Sequence, residues 1–152
     1  MEMSGTIELR APREQVWQAL NDPLVLKECI PGCEALERTP DDEFLATAVI
    51  KVGPIKATFN GKVRLSDISA PSGYTISGQG QGGIAGFAAG TAKVQLDVAS
   101  DGGTVLSYQT QTKIGGKLAQ LGARLIDSTA KKLTTQFFDA FREQVEEGDA
   151  GR

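Results

Sequence analysis

Two cysteines and one glycine-rich run are the residues whose type and spacing could support chemistry in this sequence. Cys29 and Cys33 have the C-x₃-C spacing that a metal site or a reactive thiol pair could use. A structural zinc site needs about four nitrogen or sulfur ligands, and the chain has 2 cysteines and 0 histidines. We therefore expect inert or buried thiols, no metal and no cofactor. The lack of histidine also excludes Ser–His and Cys–His nucleophilic catalysis.

The glycine-rich run Gly78-Gln79-Gly80-Gln81-Gly82-Gly83 matches the dinucleotide-binding pattern G-x-G-x-x-G. That fingerprint requires a following helix in a βαβ unit, whereas the residues after it have the pattern of a strand. We favour a bulged or mobile strand pair at a sheet edge. Residues 68–92 carry no charge. They predict either a flap, with Ile84 and Phe87 near its tip, that gates a pocket or touches a membrane, or a plain hairpin.

Length and charge limit the classes of protein to which the chain can belong. A chain of 152 residues with 40% apolar residues fits one domain, here residues 1–147, followed by a polar tail at 148–152. There are 16 basic and 19 acidic residues, a net charge of −3, which argues against nucleic acid as the main partner. No signal peptide and no apolar window of roughly 18 residues is present, so we expect a cytoplasmic protein.

The hydrophobic pattern predicts strands in the middle of the chain and helices near its ends. A strand at 6–10 precedes two short helices, which begin near Pro12 and at Asp22-Pro23. Period-two alternation follows, and it is cleanest from Ile55 to Ser66. The alternating runs are 44–51, 55–66, 74–78, 92–98 and 106–114, and a long helix is predicted from Gly116 to about Val145. Grouped antiparallel strands with terminal helices predict an α+β fold with about seven strands.

The predicted long helix has two apolar faces rather than one. Leucines and small residues in its first half lie about a third of a turn away from the aromatic cluster of its second half. Either the two halves contact different partners, or the helix bends around a single core. A basic stripe made of Lys117, Arg124, Lys131 and Arg142 is either a solvated face or a contact for anionic lipid or an acidic partner.

Several of these motifs together resemble the CoxG family of carbon monoxide dehydrogenase subunits, within the START-like, helix-grip superfamily. The resemblance covers nearly the whole chain, and its most specific parts are the glycine-rich stretch 78–90 and the run from Gly115 to Gly122. The other carriers are Val16-Trp17 to Leu20, Asp22-Pro23, Ile30-Pro31-Gly32-Cys33, Gly53-Pro54-Ile55, Phe59 with Gly61, Lys131-Lys132-Leu133 and Gln136-Phe137-Phe138.

The resemblance implies a curved antiparallel sheet that wraps a long C-terminal helix and encloses an apolar cavity. It also implies an accessory protein, not an enzyme, that associates with a molybdenum hydroxylase such as aerobic carbon monoxide dehydrogenase. Such a protein would bind a quinone or a lipid and bring the enzyme to the inner face of the cytoplasmic membrane by peripheral contact. Many family members carry a C-terminal membrane-engaging extension that this sequence does not show.

Strand parity and helix phase predict which residues line the cavity. Apolar walls with a few hydroxyl groups suit a large hydrophobic ligand. The predicted ligand-binding residues are Phe44, Ile50, Phe59, Tyr74, Phe87, Tyr108, Leu118, Leu121, Gly122, Leu125 and Thr129. Two alternatives stay open: a small cavity enzyme of the polyketide cyclase or hydrolase type, and a structural adaptor with a filled core. The absence of histidine argues against the enzyme, and the small residues Gly122 and Thr129 argue against the filled core.

Overall fold

The computed structural model describes the backbone of residues 1–150 and the side chains of residues 1–146, so the side chains of the predicted polar tail at 148–152 lie outside the described residues. The strands are β1 (Glu2–Leu9), β2 (Cys33–Arg38), β3 (Glu43–Val52), β4 (Ile55–Ser69), β5 (Gly73–Gln81), β6 (Phe87–Val98) and β7 (Thr104–Gly115). The α-helices are α1 (Arg13–Leu20), α2 (Pro23–Cys29) and α3 (Ala123–Ala150). Two 3₁₀ helices complete the chain: Gly83–Ala85, called the turn segment here, and Gly116–Leu121, called the bridge segment.

The strands form one antiparallel sheet in the order β1-β7-β6-β5-β4-β3-β2. Alternation along β4 is regular, with inward positions from Ile55 to Leu65 partly or fully buried and the intervening residues exposed. The seven-stranded sheet with two short helices and a long C-terminal helix confirms the predicted α+β architecture. Within the described residues, no helix is long and apolar enough to cross a membrane.

The glycine-rich strands lie in the middle of the sheet, so the predicted position at a sheet edge is wrong. β5 and β6 pair without interruption from Gly73 with Gln95 to Gln81 with Phe87. Each also has a second neighbour, β4 and β7 respectively. The predicted flap is therefore two central strands, and only the turn segment projects beyond them. The turn segment and strand β6 follow the glycine run, rather than the α-helix of a βαβ unit.

The predicted single long helix is interrupted at Gly122. The bridge segment ends there, and Gly122 has φ +95°, a backbone conformation that residues with a Cβ adopt only with strain. Helix α3 begins at the next residue. The half-buried face of α3 then winds gradually from Leu125 through Leu133 to Phe141, so the change of apolar face is continuous along α3 rather than abrupt.

The hydrophobic core is concentrated at one end of the molecule, where α1, α2 and the second half of α3 meet the sheet. Phe141 is 0% exposed, and its ring stacks on Phe137 with centroids 5.8 Å apart. Trp17 packs against Tyr74 at 5.2 Å. The fully buried members of the core are Leu9, Ala11, Val16, Leu20, Cys29, Phe44, Leu65, Tyr74, Leu96, Leu106, Phe141 and Val145. Val98, whose alternation predicts burial, is 60% exposed at the end of β6.

Candidate functional site

The inner face of the sheet beyond the core is covered by small, uncharged residues. The strand register places Gly61 opposite Gly80, Gly80 opposite Ala88, and Ala88 opposite Ile114. Gly78 and Gly90 form a second pair beside this row. Small residues in adjacent strands keep the sheet surface low, and a Cβ built on Gly80 would have no heavy atom within 4 Å. These small residues therefore leave free space above Gly80. The set Gly61, Gly78, Gly80, Ala88, Gly90 and Ile114 is called the glycine floor here.

The first half of α3 lies opposite this part of the sheet, and the bridge segment connects it to β7. Helix α3 approaches the sheet mainly at β1 and β3, so the central strands under it stay less covered. Leu125 packs on the β3–β4 turn, where a Cβ on Gly53 would lie 2.7 Å from its Cδ2 atom. Leu121, Ile126 and Thr129 are half-buried. The partial exposure of these apolar side chains shows that this end of the molecule is packed less tightly than the core.

Six of the predicted ligand-binding residues lie at this end of the molecule, and three others lie in or against the core. The first group is Ile50, Phe59, Leu118, Leu121, Leu125 and Thr129. Phe44 is 5% exposed in the core, and the Arg38 guanidinium lies 5.4 Å from its ring centroid. The Tyr74 hydroxyl donates to the Leu20 carbonyl at 3.2 Å, and the Tyr108 ring stacks on Phe138 at 5.3 Å.

Phe87 and Gly122 lie outside both groups. Phe87 occupies the outer face of β6, where it is 37% exposed and its ring covers Gly115. Gly122 is exposed at the start of α3, with no heavy atom within 4 Å of a Cβ built there. The helical phase predicts that Gly122 is a small residue on the inward face of a continuous helix. In the structure it is instead an exposed residue between the bridge segment and α3. Their roles in ligand binding stay predictions.

The residues of the glycine floor are absent from the predicted ligand-binding residues. Gly78, Gly80 and Gly82 recur at every second position, and in a strand that spacing puts all three on one face. The sequence therefore indicates a strand face made of glycines. Glycines in such a run also indicate mobility, however, and the mobile interpretation is the one that we favour from the sequence alone. The predicted ligand-binding residues include Gly122 but no glycine or alanine of the sheet, although these small residues leave volume.

The outer face of the sheet carries open grooves of about 810 Å³ and 860 Å³, and most of the residues that line them are of polar or charged types. One of these grooves contains a charged cluster centred on Glu43. The Glu43 carboxylate lies 3.2 Å from the Arg64 guanidinium and 3.5 Å from the Lys62 ammonium. The Glu43 side chain is 11% exposed, so this cluster is a partly buried ion-pair network on β3 and β4. Its polar lining differs from the predicted apolar walls.

The two thiols are unsuited to nucleophilic chemistry. Burial, with a smaller contribution from the Glu28 carboxylate, raises the pKa of Cys29 to about 11. Burial also raises the pKa of Cys33. Both groups therefore stay protonated near neutral pH, and the thiolate is the reactive form. Within the described side chains, no group of three His, Cys, Asp or Glu residues is placed to hold a metal.

Comparison with known proteins identifies both a family and a fold. A family model for CoxG, a subunit of carbon monoxide dehydrogenase, matches residues 5–146. A conserved protein from Geobacillus kaustophilus has a similar structure, with 31% identity and a TM-score of 0.90 over 97% of this chain and 96% of that one. No curated protein sequence is significantly similar to the chain.

More distant structures share the fold alone. A protein from Rhizobium leguminosarum has 19% identity and a TM-score of 0.70 over 97% of this chain and 96% of its own. An aromatase/cyclase from a Streptomyces species has 15% identity and a TM-score of 0.65 over 96% of this chain and 93% of its own. These structures combine a curved antiparallel sheet with a long C-terminal helix, which is the helix-grip arrangement.

Proposed function

The chain belongs to the CoxG family of carbon monoxide dehydrogenase subunits, and on this premise we propose that it is a non-catalytic accessory protein that binds a hydrophobic molecule. The binding site is the compartment between the glycine floor and the first half of α3. A quinone or a lipid is the class of ligand, and a molybdenum hydroxylase such as carbon monoxide dehydrogenase is the protein partner.

One observation carries the ligand-binding part of this proposal: the glycine floor is uncharged and has free space above Gly80. The inward positions around it are glycine, alanine, isoleucine, phenylalanine and threonine. Burying an ion in such a site costs free energy unless the ion is paired, so the site favours a neutral apolar molecule. The threonine hydroxyls of Thr112 and Thr129 supply its polar groups.

The same lining supports a non-catalytic role. A general acid or base must lie within hydrogen-bond reach of the reacting atoms. On the inner face of the described sheet, the titratable residues Tyr74 and Tyr108 pack against the core. Arg38 and Cys33 face the same side from the edge strand β2, where the Arg38 guanidinium lies over the Phe44 ring. Burial raises the pKa of Tyr74, which keeps its hydroxyl protonated and bonded to Leu20. The cyclase-like alternative therefore has no residue placed for proton transfer at the glycine floor.

A cavity-filling substitution tests the site. Gly80→Leu puts a side chain into the free space without requiring a left-handed backbone conformation, so we expect a folded protein that has lost its apolar ligand. Gln81→Leu is the matched control, because it adds a similar side chain one residue away on the exposed outer face. Purified wild type and both variants are extracted with organic solvent, and the extracts are compared by mass spectrometry. Equal ligand content in wild type and Gly80→Leu would refute the assigned site.

The end of the molecule that carries the turn segment supports peripheral contact with a membrane. Ile84 in the turn segment is 86% exposed, and residues 44–66, 68–96 and 102–126 contain no acidic side chain. Lys51, Lys56, Lys113 and Arg124 in these ranges are exposed. Cations beside an exposed apolar side chain favour anionic lipid.

Two measurements test the partners. Ile84→Asp should lower flotation with phosphatidylglycerol vesicles, whereas Ile68→Asp, which changes another exposed isoleucine, should not. Equal flotation of the two variants would remove the membrane contact from the proposal. Association with a molybdenum hydroxylase predicts that the tagged chain, recovered from its own host, brings molybdenum with it. Recovery without molybdenum would contradict that association.

A further inference from the structure

The bridge segment spans the gap between the two walls of the compartment. It leaves the sheet at the end of β7 and reaches the first residue of α3, so it closes the compartment at that end. Both of its ends are glycines in the left-handed region: Gly116 has φ +75° and Gly122 has φ +95°. The six residues between β7 and Gly122 form a 3₁₀ helix, which is an uncommon length for this type of helix.

Backbone atoms make the contact between the bridge segment and the C-terminal end of the turn segment, at Ala85 and the next residue, Gly86. A Cβ built on Gly116 would lie 2.6 Å from the Cα atom of Gly86, so the two glycines approach more closely than any other residue pair could. Among the hydrogen bonds of the described residues, none joins the two segments. Each segment buries one side chain, Ala85 and Leu118, both 5% exposed. The contact is therefore tight but small.

We propose that the bridge segment is a lid on the compartment. The lid swings at Gly116 and Gly122, and Leu118 leaves its buried position when the lid opens. The structure holds the closed state, in which Gly116 rests on Gly86. The inference rests on the proposed function in one respect, that an apolar molecule passes through the opening. The opening motion itself does not depend on the ligand.

A pair of glycine substitutions separates the lid contact from backbone strain. Gly116→Ala adds a methyl group that must push Gly86 away, which destabilises the closed state. Gly83→Ala adds the same strain, since Gly83 has φ +62°, but its Cβ would have no heavy atom within 4 Å. A third variant, Leu118→Ala, removes the buried side chain and leaves both hinge glycines unchanged.

Two readouts apply to all three variants. The first is amide hydrogen exchange of residues 116–122 and 83–86 without ligand, which should be on the order of tenfold faster in Gly116→Ala and Leu118→Ala than in Gly83→Ala. The second is the dissociation rate of the neutral fluorophore N-phenyl-1-naphthylamine from the compartment. Destabilising a closed state raises the rate of passage through the open state, so dissociation should speed up in the same two variants.

The outcomes distinguish the lid from the binding site. Faster exchange and faster dissociation in Gly116→Ala, with Gly83→Ala near wild type, would support the lid. Equal exchange in Gly116→Ala and Gly83→Ala would overturn it, whether or not the fluorophore binds. If the variants show the expected exchange pattern but the wild type does not bind the fluorophore, the segment moves but is not a lid on an apolar site.

Discussion

Replacement of Phe141 by alanine should cause the largest loss of stability that we expect for a single side chain. Phe141 is 0% exposed, and it stacks on Phe137 at 5.8 Å in the second half of α3. Phe→Ala at a fully buried site costs about 3–5 kcal/mol, against a total stability of about 5–15 kcal/mol. For a domain of this length, each kcal/mol lowers the melting temperature by roughly 2–4 °C, so the variant should melt about 6–20 °C below wild type.

The matched control for this experiment is Phe87→Ala. Both changes remove one phenyl ring, but Phe87 is 37% exposed on the outer face of β6, so its loss should cost no more than about 1 kcal/mol. Urea unfolding followed by tryptophan fluorescence measures both variants, because Trp17 packs in the same core. A loss of stability in Phe141→Ala that does not exceed that of Phe87→Ala would refute the assignment of the core to this end of the molecule.

Three further predictions concern stability. Gly32→Ala should destabilise the protein more than Gly102→Ala in urea unfolding: both glycines have positive φ, at a cost of about 1–2 kcal/mol for alanine, but a Cβ on Gly32 also meets the Val49 carbonyl, whereas one on Gly102 meets nothing. Thr104→Val should lower the free energy of unfolding by about 1–3 kcal/mol, because the buried Thr104 hydroxyl donates to the Ala11 carbonyl at 2.7 Å. The control Thr91→Val, at an exposed position, should be near neutral. Equal losses in the two variants would contradict the stabilising role of the Thr104 hydrogen bond. Burial raises the pKa of Cys29 from 9.0 to about 11, so the stability that this thiol contributes is fully present below pH 9.0 and declines as the pH rises toward 11. Cys29→Ala should therefore reduce the loss of stability between pH 9.0 and 11 in urea unfolding. An unchanged dependence of stability on pH would refute this contribution of Cys29.

The strands were predictable where one face is wet and the other is buried. β4 alternates without error because its inward residues pack on the interior and its outward residues are polar. β2 was not identified, since its sequence Cys33–Arg38 includes three charged residues in a short edge strand. The second short helix, α2, was predicted correctly because Asp22 and Pro23 signal a helix start locally: the Asp22 carboxylate accepts a hydrogen bond from the Leu24 amide at 2.9 Å.

The site was predicted only in part, because its location depends on strand order. Parity assigns Tyr74 and Ile50 to the same inner face, but it does not say which end of that face the core fills. Strand order also decided that the glycine-rich strands are central, and this pairing joins residues far apart in sequence. Likewise, a helical period cannot distinguish one continuous helix from a 3₁₀ segment followed by α3, because the break depends on one backbone angle at Gly122.

The pairing of β1 with β7 sets the order of events during synthesis. Leu9 pairs with Thr104, and Glu2 pairs with Gln111. Strand β1 is synthesised before the other strands of the sheet but cannot pair until β7 has been synthesised. At roughly 5–20 residues per second, about 100 further residues take roughly 5–20 s to appear. The core residues of α1 cannot pack fully until Phe141 and Val145 of α3 have also been synthesised. The native sheet and core therefore cannot be completed on a partial chain, and β1 stays unpaired until β7 has been synthesised.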